Sequence, residues 1–287
     1  VSLDEATVAS LEKALAQSWI ALRDAEDALA KAQDPRTALD MAQAEAGVAG
    51  AELSLQSAQD ALASLLEPTA QEMALAEAAV ANATFVLERL RVDGRLLRTY
   101  KEGTAKLKGY LEDYCMLIDG LLALYEATFQ ERWLQEARGL ADSMIRLFWD
   151  EGQSAFFDTG SDHEELLVRP REVVDNATPS GSAVATEALL RLALLTGEER
   201  YRQVAVTALR SVGELLTGHP TAMAHWLCAL DLYLSTPKEV AIVGLREDSA
   251  TQALLRVVFQ RFQPNRVVAG YEPNGAPPNG VPLLEDR

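Results

Sequence analysis

Histidine is nearly absent from this sequence, with three in 287 residues, and cysteine is rarer still, with two. Cys115 and Cys228 are too few for a disulfide framework, neither sits in a Cys-x-x-Cys, and no Cys/His cluster has metal-ligand spacing. Both fall among apolar residues in helical patterns, so both are expected as buried thiols in a reducing compartment. Neither a metal nor a cofactor is expected. Basic residues are also scarce: 26 Lys and Arg against 43 Asp and Glu leave a net charge of -17. That sign excludes nucleic acid as a partner and disfavours anionic lipid. No run approaches the ~20 apolar residues that cross a bilayer, and no basic stretch followed by an apolar one opens the chain. The expectation is an acidic, soluble, cytoplasmic protein. Because Val1 already lies in a helical pattern and Val281 to Arg287 carry no terminating signal, a fragment or a fusion is expected.

What is present divides in two. From Leu3 to about Arg91 there is hardly a glycine, and alanine dominates. Leu11, Leu15, Ser18, Leu22, Ala25, Leu29 and Ala32 step by alternating fours and threes, which is a heptad seam. Asp34-Pro35 breaks it, because proline lacks an N–H and restricts the residue before it. Thr37 caps a second helix, with the seam Met41, Ala44, Val48, Ala51, Leu55, Ala58, Leu62 and Leu65. Glu67-Pro68-Thr69 stops that one, and a third seam follows through Met73, Ala76, Val80, Ala83, Leu87 and Leu90. Short loops force neighbouring helices antiparallel. The reading for residues 1–80 is therefore a coiled-coil arm with no catalytic groups, suited to a homodimer contact or a helical partner.

Near Phe85 the alanine bias fades. Asp93-Gly94 is a turn and Arg95 to Tyr100 a short extended segment, with Gly103 to Gly109 expected as a loop. Leu111, Tyr114, Cys115, Ile118, Leu121, Leu122 and Tyr125 mark a helix by their 3.6 period, and another runs from about 131 to 149. Phe156 to Thr159 and Glu165 to Val168 read as two strands of a small ribbon. Further helices are expected at about 180–195, 200–216 and 221–234, followed by strand, helix and strand at 239–243, 249–262 and 266–269, a βαβ-like unit. The fold class expected is mainly α: a coiled-coil hairpin (1–80), paired helices of a partial (α/α)6 toroid (81–236), and a small β-α-β unit (237–287). A toroid is favoured over a solenoid because no fixed repeat is visible.

Two resemblances sharpen this. Ser2-Leu-Asp-Glu-Ala, Asp34-Pro-Arg-Thr-Ala-Leu-Asp40 and Leu66-Glu-Pro-Thr-Ala70 make the arm resemble the coiled-coil hairpin of HlyD-like periplasmic adaptor proteins. In that family the hairpin bridges a pump to an outer channel, which implies a periplasmic setting if the likeness reflects the arm's origin. Gly94-Arg-Leu-Leu-Arg98, Lys106 to Tyr114, Arg169-Pro170, Asp175-Asn-Ala-Thr-Pro-Ser-Gly181 and Lys238-Glu-Val-Ala-Ile-Val-Gly244 make residues 78–287 similar to the YyaL family. Those proteins join a thioredoxin-like domain to a six-hairpin, glycosidase-like toroid. The resemblance implies a carbohydrate-binding domain, catalytically incomplete because about three hairpins stand where the ring has six. Any activity is expected to be glycosidase- or epimerase-like. Ser182 stands where that family usually has asparagine.

Candidate site residues follow. Glu112 and Asp113 open a helix, where carboxylates suit the positive end of the dipole; alternatively one points into a cleft flanked by Tyr110 and Tyr114. Glycoside chemistry needs two carboxylates across a cleft. Neighbours on a helix diverge by about 100°, so Glu112 and Asp113 are not that pair, and Asp175 or Asp158 is the second. Glu112, Asp113 and Asp175 are the catalytic candidates. Asp175 to Gly181 feeds a helix N-terminus near Ser180, which either binds an oxygen-rich ligand or is simply capped. Arg169 binds a ligand or pairs with Glu172. His225, beside Trp226, is a ligand contact or a satisfied half-buried histidine. The ligand-binding candidates are thus Tyr110, Tyr114, Asp158, Arg169, Ser180, His225 and Trp226, for a carbohydrate-like small molecule.

Overall fold

A computed structural model describes residues 5–32, 38–66, 70–273 and 280–285. The protein is mainly α, and the chain divides into two compact units, Val1–Ala78 and Ala79–Arg287.

In the first unit α1 (Glu5–Ala32) packs along α2 (Ala38–Leu66), antiparallel as a five-residue connection requires. Their inward positions are those of the heptad seams. Leu22 and Leu55 are buried, and Leu15, Ser18 and Ala25 on α1 and Val48, Ala51 and Ala58 on α2 are half-buried, among exposed neighbours. The outer seam positions Leu11, Leu29, Ala32, Met41, Ala44, Leu62 and Leu65, and the breaks at Asp34-Pro35, Thr37 and 67–69, lie outside the described side chains. The third seam is buried in part only. Along α3 (Ala70–Arg89), Met73 and Ala76 are exposed, whereas Val80, Ala83 and Leu87 pack against the core of the second unit.

In the second unit α3 runs into a three-stranded antiparallel sheet of β1 (Arg91–Val92), β2 (Arg95–Lys101) and β3 (Thr104–Lys108). The segment expected as a loop at 103–109 is thus mostly strand: Glu102 and Gly103 both take positive φ, closing a tight hairpin that keeps β3 in register with β2. Four longer helices follow: α4 (Leu111–Thr128), α5 (Glu131–Phe148), α6 (Gly181–Thr196) and α7 (Glu199–Ser211). Every apolar position expected on α4 is buried. Helix α7 stops short of the expected 200–216. A break at Val212 starts the separate short helix α8 (Gly213–Gly218), and a 3₁₀ turn (Pro220–Ala222) precedes α9 (Ala224–Leu234).

The ribbon at 156–168 is not formed as expected. β5 (Ala155–Phe156) pairs instead with β4 (Trp149–Asp150), at the end of α5, and Glu165 to Val168 run as exposed irregular chain. Apolar Leu166, Leu167 and Val168 imitate a strand, but among the described residues no neighbouring strand offers them hydrogen bonds. The last elements are β6 (Lys238–Val243), α10 (Ser249–Gln260) and β7 (Arg266–Tyr271), the two strands pairing in parallel, and a 3₁₀ turn at Pro282–Leu284. Val267 and Ala269 of β7 join the same hydrophobic core as the helices, so this small unit is not separate from them.

Helix α6 is central: it packs against α4, α7 and α9, while α5 backs α4. Its N-terminus abuts that of α4, since a Cβ added at Gly181 would sit 3.3 Å from the Glu112 nitrogen. Cys115 is fully buried and burial pushes its thiol far up, but Cys228 is exposed, contrary to expectation: it lies on the face of α9 turned away from the core.

Candidate functional site

A cleft of about 200 Å³ opens where α4 and α6 begin. Its walls are Arg98 from β2, Tyr110 and Glu112 at the start of α4, Asp158, Glu172, Val174, Asn176 and Thr178 in the irregular stretch, and Ser180 and Gly181 at the start of α6. Four candidates thus come together, Tyr110, Glu112, Asp158 and Ser180. Arg98 and Glu172 join them, which sequence reading missed because nothing local distinguishes an arginine in a strand or a glutamate in a loop.

Local interactions fix each group. Glu112 Oε1 accepts from Arg98 Nη2 at 2.6 Å. The Arg98 guanidinium lies 4.9 Å from the centre of the Tyr110 ring, and His163 stacks against the same ring at 5.2 Å, so protein groups engage the aromatic surface of Tyr110. The Asp158 carbonyl accepts from Leu111 N–H at 3.0 Å, satisfying a donor at the head of α4, and its carboxylate Oδ2 accepts from Glu172 N–H at 2.9 Å. Burial holds the Asp158 carboxyl above the usual carboxylate range, with the charges of Glu172 and Glu112 acting in the same sense and the Glu172 N–H opposing. Ser180 Oγ caps α6 by accepting from Ala183 N–H at 3.2 Å.

The other candidates do structural work. Asp113 Oδ2 accepts from Tyr110 N–H at 2.8 Å and caps α4 from its first turn. Both carboxylate oxygens of Asp175 are occupied: Oδ1 by Ser180 N–H and Oδ2 by His225 N–H, each at 2.8 Å. Asp175 therefore clamps the N-termini of α6 and α9 together. The Tyr114 ring is buried and its hydroxyl accepts from Arg95 Nη1 and Leu96 N–H, both at 2.9 Å. Trp226 is equally buried, its indole N–H donating to the Val173 carbonyl at 2.9 Å. Arg169 lies over the Phe157 ring at 4.4 Å and donates to the Thr159 carbonyl, and it pairs with no glutamate among the described residues.

His225 lies apart from the cleft lining. Its Nε2 is 3.0 Å from Glu187 Oε2, across α9 and α6. Glu187 pushes the imidazole above its usual range, with burial opposing. The third polar group on these helices is buried deeper. Arg191 on α6 reaches Asp119 at 2.7 Å and Glu126 at 3.1 Å on α4, and Glu126 Oε1 accepts from Val268 N–H of β7. Among the described residues no group of three or more His, Cys, Asp and Glu is placed to hold a metal ion, and no helix is long and apolar enough to cross a membrane.

No family model matches the chain. It is similar to Spermatogenesis-associated protein 20 of Homo sapiens, 33% identical over 184 residues that make up 61% of this chain and 23% of the human protein. The protein of the same name from Rattus norvegicus is 31% identical over 191 residues, 66% of this chain and 24% of the rat protein. An uncharacterized protein of Caenorhabditis elegans, B0495.5, is 29% identical over 144 residues, 50% of this chain and 20% of that protein. The chain thus spans about a quarter of the length of the mammalian relatives it matches. The adaptor likeness of the arm finds no support among these relatives.

Proposed function

We propose that residues 79–287 are part of an α/α toroid that holds a polyhydroxylated, carbohydrate-like ligand without turning it over. The toroid reading rests on the packing of α4, α6 and α9 side by side, their N-termini at one end and α5 and α7 behind them. The ligand reading rests on one observation: charged and polar side chains from β2, α4, the irregular stretch and α6 converge on a single cleft. At about 200 Å³ it is smaller than the roughly 300–1,000 Å³ typical of drug-sized sites, room for one sugar ring. Sugar hydroxyls donate to Glu112, Asp158 and Glu172 and accept from Arg98.

Turnover is another matter. A general base needs a free lone pair aimed at substrate. Here Arg98 holds one Glu112 oxygen and Glu172 N–H one Asp158 oxygen, which leaves the other oxygen of each for a sugar hydroxyl. Asp175, by contrast, spends both oxygens on backbone N–H groups and is not the second carboxylate of a catalytic pair. Isothermal titration with hexoses and disaccharides tests the reading. The expected result is a monosaccharide binding near the millimolar range, about -4 kcal/mol, weakened about tenfold by Glu112→Gln and accompanied by no released product. Absence of heat with every sugar, on a chain whose circular dichroism is intact, sinks it.

A second reading, a non-enzymatic scaffold, draws on the arm. Trp19 and Ile20 on α1, Leu53 on α2, and Met73 and Leu75 on α3 are more than half exposed. Bare apolar groups on coiled-coil helices suit a further helix. Light scattering separates the readings: self-association lost on Trp19→Glu with no sugar heat favours the scaffold.

A further inference from the structure

Helix α10 is docked by one side only. Thr251 is buried, with its Oγ1 so close to Gly244 that a Cβ there would meet it at 2.3 Å, and Leu255 and Val258 beside it are half-buried. The other side carries Ala250, Ala253, Leu254, Val257 and, just past the helix end, Arg261, spaced by threes and fours and all exposed. Leu254 is 58% and Val257 68% exposed. An apolar stripe at that spacing is what one helix offers another.

Charge tells which kind of helix. Although the chain has 43 acidic residues and a net charge of -17, none falls between Ser249 and Tyr271, the longest acid-free run in the sequence. The charged residues there are Arg256, Arg261 and Arg266. Arg266 is spent internally, donating to the Val258 carbonyl and lying over the Phe259 ring, whereas Arg256 and Arg261 are exposed, Arg256 beside the stripe and Arg261 at its C-terminal end. A second copy meeting this stripe about a twofold axis through Leu254 and Val257 brings Arg256 close to its own counterpart. We propose that the face of α10 formed by Leu254 and Val257 docks an amphipathic helix of a partner protein whose apolar stripe is flanked by acidic residues.

The full chain tests this by fluorescence anisotropy with a labelled synthetic helix carrying leucines at three- and four-residue spacing and glutamates on both flanks, beside its twin with lysines in place of the glutamates. Binding of the glutamate peptide alone is expected, with affinity falling about tenfold or more on Val257→Asp, on Arg256→Glu with Arg261→Glu, and on raising salt. Both variants alter exposed side chains, and an unchanged circular dichroism spectrum shows that the fold survives. Three results overturn the proposal: neither peptide binds, or both bind alike; light scattering finds a dimer of the wild-type chain that Val257→Asp dissociates, making a second copy the occupant; or phosphatidylglycerol vesicles retain the wild type, release the double arginine variant, and compete with the peptide.

Discussion

Asp175 sits in a polar loop before a helix, where sequence reading leaves a ligand contact and a cap equally open. The structure gives the carboxylate two backbone N–H donors from different helices, a fact no local spacing encodes because His225 lies 50 residues away. A hydrogen bond to a charged group contributes about 1.5–3 kcal/mol, and Asp175 is half-buried. Asp175→Ala is therefore expected to lower stability by about 2–3 kcal/mol in urea unfolding, and Asp175→Asn, which keeps one acceptor, by about half as much. A loss under about 0.5 kcal/mol for the alanine variant removes the clamp from the account. His225 lends itself to a pH experiment. Because Glu187 raises the folded imidazole above the usual 6.5, the pair contributes stability fully below that value and loses it as pH rises through the folded one. The stability gap between the wild type and His225→Gln should be widest near pH 5.5 and close by about pH 8.5; a gap that is flat across this range assigns the contact to packing alone. Asp158 is shifted in the same direction, so its contribution also falls as pH rises, but through a different cause: burial favours its neutral form. Asp158→Asn should leave the melting temperature equal or slightly raised while weakening sugar binding, and a variant that melts lower with unchanged binding moves Asp158 out of the cleft's chemistry.

Helices were the legible elements, because a buried stripe repeats every 3.6 residues whatever covers it. The apolar list for α4 and the Thr196-Gly197 stop of α6 match the structure, Gly197 taking the left-handed cap at φ 68°. What was not legible depended on partners distant in sequence. β3 looks like a polar loop until β2 is beside it, and Glu165 to Val168 look like a strand until none is found. The C-cap of α4 is Phe129 at φ 54°, a residue type that announces no helix end. Its ring lies where a Cβ on Gly270 would go, at 2.6 Å, with the Ile242 carbonyl at 2.7 Å. Glycine at 270 is thus what lets β7 lie against both α4 and β6. Gly120 is the contrast: it is exposed in the middle of α4, and a Cβ there meets nothing within 4 Å. Gly120→Ala is expected to stabilise by about 0.5–1 kcal/mol, and Gly270→Ala to destabilise by about 3 kcal/mol, since the backbone carbonyl cannot give way. Equal effects of the two in denaturant titrations contradict the close approach at β7.

Across the whole molecule the governing quantity is charge, since 43 acidic side chains face 26 basic ones. Like charges spread over a surface repel, and the compact state brings them closer than the unfolded chain does. Opposing this are attractive pairs that salt also screens, but the stronger of them are sheltered. Arg191 with Asp119 and Glu126, Arg95 with Asp162, and Arg138 with Glu198 all involve an arginine whose side chain is mostly buried. Salt reaches exposed charges first, within a screening length of about 8 Å at physiological ionic strength. Repulsion, being the exposed part, is relieved more than attraction is lost. The melting temperature is therefore expected to rise by a few degrees between about 20 and 200 mM sodium chloride, with the circular dichroism spectrum unchanged. A fall over that range means that surface pairs such as Arg200 with Asp142 outweigh the net charge. Charge reversal at Arg256 and Arg261 separates the two ideas further. It deepens the net charge by four without touching a buried pair, so it should steepen the rise with salt if repulsion governs and leave the slope alone if local pairs do.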